Sequence, residues 1–251
     1  MNYGWIPDYP DQRDKLYYKV MPPSLDLPSS VDLRPFCPPV EDQGELGSCT
    51  AQALVGALEF LELKELRDQG LKPPFPDYSR LQLYYDERIN KNADTGAQLR
   101  NGIKTLALRG GANEKLWPYT ISKFKVKPPP AVYADALKHQ ILKYYRITTQ
   151  NEMQTCLAKG YPFVFGFAVY ESFESDQVAK TGVVPMPKMS ERALGGHAVM
   201  GVGYNNKDKR FIVRNSWGTS WGLKGYFTIP YAYLTNPNLA DDFWAIYVLE
   251  E

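Results

Sequence analysis

A helix that is apolar on most of its sides begins at Cys49, and it restricts the fold more than any other feature of the chain. Ala51, Ala53, Leu54, Val55, Gly56, Ala57, Leu58 and Leu61 follow the cysteine, so the start of the helix has to be buried nearly all round. The pattern predicts a central helix from Cys49 to about Arg67, ended by Gly70 and the breaker Pro73-Pro74-Phe75-Pro76. Upstream, in Gln43-Gly-Glu-Leu-Gly-Ser-Cys49, Gly44 and Gly47 can take backbone conformations closed to other residues. The sulfur therefore falls in the first turn of a core helix, where free N–H groups and the helix dipole favour thiolate over thiol. A buried cysteine among small residues is also an ordinary packing residue, so this segment alone leaves both readings open.

The second half of the chain weighs between them. Gly195-Gly-His197-Ala-Val-Met-Gly-Val-Gly-Tyr204 and Phe211-Ile-Val-Arg-Asn215-Ser-Trp217-Gly both have strand character, and Asn205 to Asp208 supplies a turn. Two adjacent antiparallel strands would set His197 beside Asn215. A cysteine nucleophile needs a base, and the base needs a partner that fixes its tautomer. Cys49, His197 and Asn215 can fill those three roles. His139, the other histidine, lies in Ala-Leu-Lys-His-Gln-Ile-Leu-Lys, with no such company.

In these motifs the chain resembles the papain-like cysteine peptidases, as a divergent branch without the usual long pro-domain. The stretch from Pro28-Ser-Ser-Val-Asp-Leu-Arg34 to Ala51 is similar to the start of a mature domain of that family. His197-Ala-Val and Asn215-Ser-Trp-Gly are similar to its histidine and asparagine motifs. Thr95-Gly96-Ala-Gln-Leu and Trp117-Pro-Tyr119 resemble its substrate strand and a downstream marker. The resemblance spans roughly residues 27 to 251. It implies an α+β, papain-like two-lobed fold, in which a mainly helical lobe packs on an antiparallel β-barrel-like lobe and the active site lies in the cleft between. The helical lobe would cover about 38–140, and the strand-rich lobe about 141–251 plus 27–37. It also implies catalytic roles for Cys49, His197, Asn215 and Gln43, the last as an oxyanion donor. Thr95, Gly96 and Gly196 would bind substrate through their backbones, and Trp217 would shield the His–Asn bond. The main side-chain pocket would be walled by Thr181 to Met186 and closed near Leu239 to Asp242, with Asp241 and Asp242 either at its floor or facing solvent. Two departures stand out: Leu46 and Thr50 occupy positions where the family carries a cysteine and an aromatic.

The implied activity is a cysteine endopeptidase working through an acyl-enzyme. The alternatives are an acyltransferase or peptide ligase on the same scaffold, or a binding homologue that has lost catalysis. A chain of 251 residues and 28.6 kDa can bury a full core. With 29 basic and 28 acidic residues, nothing electrostatic favours nucleic acid. No apolar run approaches the ~20 residues of a membrane span, and Cys-x-x-Cys or His-x-x-x-His metal spacings are absent. The expected partners are a protein or peptide substrate only, with no cofactor, and the chain is expected to be a monomer. The opening Met-Asn-Tyr-Gly-Trp-Ile-Pro-Asp does not read as a secretory signal. Three cysteines are not a disulfide framework, although Cys37 and Cys156 are left open as a pair. A reducing, cytoplasmic setting is favoured.

Residues 1–26 form an N-terminal arm carrying Tyr3, Trp5, Tyr9, Tyr17 and Tyr18. Exposed aromatics at this density normally bury, so the arm is expected to pack on the domain. A surface brace far from Cys49 is the simpler expectation, and a strap across the cleft that regulates access is the alternative.

Overall fold

In the computed structural model the central helix α1 spans Cys49–Asp68 and is buried on every side from Cys49 to Leu61. The structure describes residues 3–72 and 74–248; Pro73 of the expected breaker, and the ends 1–2 and 249–251 of the expected arm and domain, lie outside the described residues. Gly56, in the middle of α1, sits where the Arg214 guanidinium presses on the helix, since a Cβ there would stand 2.6 Å from Nη1. α2 (Arg80–Glu87) and α3 (Leu99–Arg109) pack on α1 and complete the helical lobe with α4 (Pro130–Ala136). Ser79 caps α2 by accepting from the Gln82 N–H, and Gly110, at φ +73, closes α3.

α2 is fastened to α1 by a fully buried ion pair. Arg80 reaches both Glu59 oxygens, at 3.0 and 2.8 Å, and Glu59 also accepts from the Tyr78 N–H. Removing one partner of such a pair strands the other charge, at about 3–5 kcal/mol. Arg80→Ala is therefore expected to lower the melting temperature by roughly 10 °C, at about 2–4 °C per kcal/mol for a chain of this size; a shift under a few degrees would show that Glu59 is relieved by other means.

The remaining elements are β1 (Ser30–Asp32), β2 (Lys143–Arg146), α5 (Gln150–Ala158), β3 (Phe163–Tyr170), α6 (Asp176–Thr181), β4 (Ala193–Asn205), β5 (Arg210–Arg214), β6 (Tyr226–Pro230), α7 (Tyr231–Leu234) and β7 (Ala240–Tyr247). The strands form one antiparallel sheet in the order β2-β7-β3-β4-β5-β6, with β1 added to β4. Thr149 caps α5 by accepting from the Glu152 N–H, as the Thr149–Glu152 spacing predicts. The core of this lobe is aromatic, with Phe163, Phe165, Phe167, Phe211, Phe227 and Trp244 fully buried. α1 lies across β4, β3 and β7, so the mouth of the helix faces the middle of the sheet. No disulfide forms among the described residues: Cys37 donates to the Leu33 carbonyl and Cys156 to the Tyr161 carbonyl.

Candidate active site

Cys49 opens α1 and is fully buried. His197 lies on β4, opposite Phe167 of β3, and Asn215 directly follows β5. The register pairs Met200 with Arg214, which brings the two polar side chains together as the strand reading expects. His197 Nε2 meets Asn215 Oδ1 at 2.8 Å. Trp217 stacks on the imidazole, with ring centres 5.1 Å apart, and Phe167 and Phe173 close the ring's surroundings. These rings leave the His–Asn contact dry, which strengthens it. His197 Nδ1 makes no hydrogen bond among the described residues.

The turn before the helix is held from several directions. Gln43 is buried; its Nε2 donates to the Leu46 carbonyl at 2.9 Å, and its Oε1 accepts from Ser216 Oγ at 2.7 Å. Tyr119 donates to the Gln43 carbonyl and contacts Ser48 Oγ at 2.6 Å, which gives the Trp-Pro-Tyr marker a mechanical purpose. The Gly47 N–H points at the Asp94 carboxylate, and Tyr84 bonds the same group. Thr50 fills the place of the missing aromatic by donating to Glu87, a fully buried carboxyl that burial pushes up to about 8. Sequence reasoning did not single out Asp94, Glu87 or Ser216, because their parts depend on contacts between elements remote in the chain.

The arm runs through the cleft. Trp5 N donates to the Gly196 carbonyl (2.9 Å), Ala97 N to the Gly4 carbonyl (2.8 Å) and Ile6 N to the Ala97 carbonyl (3.0 Å). The segment thus bonds to both lobes at once, and the brace far from Cys49 is corrected. Gly196, expected to bind substrate through its backbone, here pairs with the arm. On the other side the pairing falls on Ala97, one residue beyond Gly96; Gly96 provides close approach, because a Cβ there would overlap the Gly4 carbonyl. Thr95 is exposed and lines a small cavity beside Ile6 and Tyr9. Tyr3 packs edge-on to His197 and bonds Glu174. Further along, Asp14 pairs with Arg100 at 2.6 Å, the Lys15 carbonyl accepts from Arg146 N, and Tyr17 is wholly buried.

Trp5 fills a pocket whose walls are glycines. A Cβ on Gly166 would overlap the indole, and one on Gly196 would stand 2.7 Å from it. At the floor Asp242 is completely buried, its Oδ2 accepting from Trp5 Nε1 at 3.0 Å and from Asp8 N at 2.8 Å. Asp241 faces solvent. The β3–β7 register shifts between Val164 and Gly166, and Asp242 has φ +57, so the irregularity aims this carboxylate inward. The expected wall from Thr181 to Met186 is elsewhere: Val183 pairs with Thr228 of β6, at the far edge of the sheet.

Under the arm, burial disfavours the charged form of both Cys49 and His197. Burial pushes the Cys49 thiol up to about 11, against N–H groups of Ala198, Gly4 and Thr50 that favour thiolate. Burial pushes His197 down to about 4, against its bond to Asn215.

A cysteine at a core helix mouth, an imidazole held by an amide and a cleft that takes an extended chain place this molecule among the thiol hydrolases. A papain family cysteine protease profile matches residues 27–242, and the chain belongs to that family. It is 43% identical to a peptidase C1-like protein of Acanthamoeba polyphaga mimivirus, over 98% of this chain and 86% of that one. It is 30% identical to cysteine proteinase 3 of Entamoeba histolytica, covering 80% of this chain but 62% of the relative. Among solved structures it is similar to xylellain, a cysteine protease from Xylella fastidiosa, with TM-score 0.89, 38% identity, and 99% and 97% of the two chains covered.

Proposed function

We propose that the chain is a cysteine endopeptidase that residues 3–21 hold latent. The observation that carries the reading is the imidazole fixed at Nε2 by Asn215, with Nδ1 making no hydrogen bond among the described residues, while the N–H of Ala198, next in the chain, reaches the Cys49 sulfur. Nδ1 takes the Cys49 proton and the thiolate attacks a peptide carbonyl carbon. The Cys49 N–H and the Gln43 amide donate to the oxyanion that forms. The C–N bond then breaks, the imidazolium protonates the leaving amine, and water, deprotonated by the imidazole, releases the acid from the thioester. A segment that enters the cleft past His197 and leaves past Ala97 supports cleavage within chains rather than at their ends.

The arm itself escapes this chemistry for a geometric reason. It offers the sulfur the N–H of Gly4, and the Gly4 carbonyl is turned to Ala97, so the Gly4 carbonyl carbon is not presented for attack. The test is modification by an irreversible epoxysuccinyl peptide inhibitor, read by intact mass. Slow labelling of the full chain, fast labelling to one adduct once the arm is removed, and none in Cys49→Ala are expected. No adduct on any folded form would sink the reading.

A further inference from the structure

We propose that the chain carries a second binding site, outside the cleft, where the outer face of α4 meets the end of α3. It takes a small apolar molecule that ends in a single carboxylate or sulfonate, and it is independent of the peptidase reading.

α4 is apolar on two faces. Val132 and Ala136 are buried against Ala112 and Trp117. Pro130, Tyr133 and Leu137 recur at three and four residues, which puts them on a face of their own. A short surface helix normally turns polar residues that way. Here the three line an open cavity of about 610 Å³, with Leu137 56% exposed. That volume falls in the range of small-molecule sites. Pro128 and Pro129 continue the wall, and because proline fixes φ the cavity keeps its shape before anything enters. The site is clear of the cleft: Leu99, near the arm, and Arg109, on the cavity's rim, stand at opposite ends of α3. At 1.5 Å per residue they are about 15 Å apart along the helix.

Arg109 sets the polar end of the ligand. Its Nη1 donates to Asp86 Oδ1 at 2.9 Å, and its guanidinium lies over the Tyr133 ring, 5.6 Å from the ring centre. The Tyr133 hydroxyl donates to the same Asp86 oxygen at 3.0 Å, and Gln82 Nε2 donates to the other, also at 3.0 Å. The buried Asp86 carboxylate therefore fixes the guanidinium and is spent in doing so. Arg109 Nε and Nη2 make no hydrogen bond among the described residues. These two groups form the side edge of the fork, which takes both oxygens of one carboxylate. Lys127 adds a second positive charge to the lining, and Lys91, bonded to the Asp86 and Arg88 carbonyls, adds a third beside it. With these cations against one buried carboxylate, an acid is drawn in and an amine is repelled. The apolar body of the ligand then lies on Tyr133, Leu137 and the prolines while its acid group meets Arg109.

The test is calorimetric titration of the full chain with three probes of one shape: 2-naphthoate, 2-naphthamide and 2-naphthylmethylammonium. Naphthoate should bind at one site at least about tenfold tighter than the amide, since a charge-assisted pair replaces a neutral bond, and the ammonium should not bind. Arg109→Gln should cost naphthoate about tenfold and leave the amide unchanged, whereas Leu137→Asn should weaken both. The two side chains are half-exposed, so neither change should move the melting temperature by more than about 2 °C. Equal binding of acid and amide, tighter binding of the ammonium, binding that ignores Arg109→Gln, or no binding up to about 1 mM would overturn the proposal. Sedimentation without ligand covers the other occupant. A dimer that Leu137→Asn dissolves would make this face a contact between copies, and would equally overturn its assignment to a small acid.

Discussion

Replacing Trp5 by alanine should raise the rate of Cys49 labelling in the full chain by roughly 10- to 100-fold. Trp5 is half-buried against the core, so its truncation costs a part of the about 3–5 kcal/mol that a fully buried tryptophan is worth where the surroundings cannot collapse, and here they cannot. Two of the walls are glycines within a paired sheet, so no side chain can swing in to fill the space. The indole N–H bond to Asp242 is lost as well. Each 1.4 kcal/mol is a tenfold change in population, and labelling follows the open fraction while that fraction is small. Gly4→Ala should act in the same direction by a different route, because its Cβ would overlap the Gly47 carbonyl, which is backbone of the turn before Cys49 and has nowhere to go. Asp14, Lys15 and Tyr17 keep the arm tethered in both variants, so the melting temperature should change far less than the labelling rate. Measuring both on the same samples decides the matter. A gain under tenfold in Trp5→Ala would mean that the indole is not the main lock.

Much of this site can be read without coordinates, for identifiable reasons. Cys49 is legible because the apolar helix behind it has no freedom to be anything but core, and His197 with Asn215 because a short polar turn makes their strands neighbours, although a one-residue register shift between Gly201 and Gly203 is what puts the two side chains on one face. What resists reading depends on surfaces that exist only after pairing. The aromatics of the arm signal burial but not its place, since the slot they enter is made by Gly166 and Gly196 once β3 and β4 meet. A lone glycine in the apolar run Phe163–Tyr170 was a usable sign of close approach. The inward turn of Asp242 had no such sign, because it follows from a register shift and a left-handed backbone at a residue that usually avoids it. Thr50 with Glu87 is a third kind: a substituted contact between α1 and α2 that neither segment announces alone.

The arm should be held most tightly in acid and loosened as the pH rises from about 4 to about 6. Its docking presses two carboxyls together: Asp8, bonded to Trp244 Nε1 and the Arg100 N–H, and Asp242, which accepts from the Asp8 N–H. Burial raises both, and next after burial the charge of Asp8 raises Asp242, to about 6. The groups facing the pair are Arg146 on β2, 2.9 Å from Asp242 and 3.6 Å from Asp8, Asp241 on β7, Arg100 on α3 and Asp14 of the arm. The two guanidiniums oppose the rise without cancelling it. Undocking returns Asp8 to water and the ordinary carboxylate range. The docked state therefore binds the proton more strongly, and its contribution is full below about 4 and lost as pH climbs through about 6. One linked proton is worth tenfold per pH unit over that window, or about 100-fold in the open population. The titration of Cys49 itself must be divided out, and the ratio of labelling rates between the parent and Asp8→Asn does this. Asparagine has the same shape and cannot repel Asp242; its NH2 meets one of the two N–H donors and loosens the arm by a factor that does not depend on pH, so the ratio should climb at least tenfold from pH 4 to pH 7 and then level. A ratio that stays flat, or falls as the pH rises, would show that Arg146 already neutralises the pair and that the latch does not sense acid.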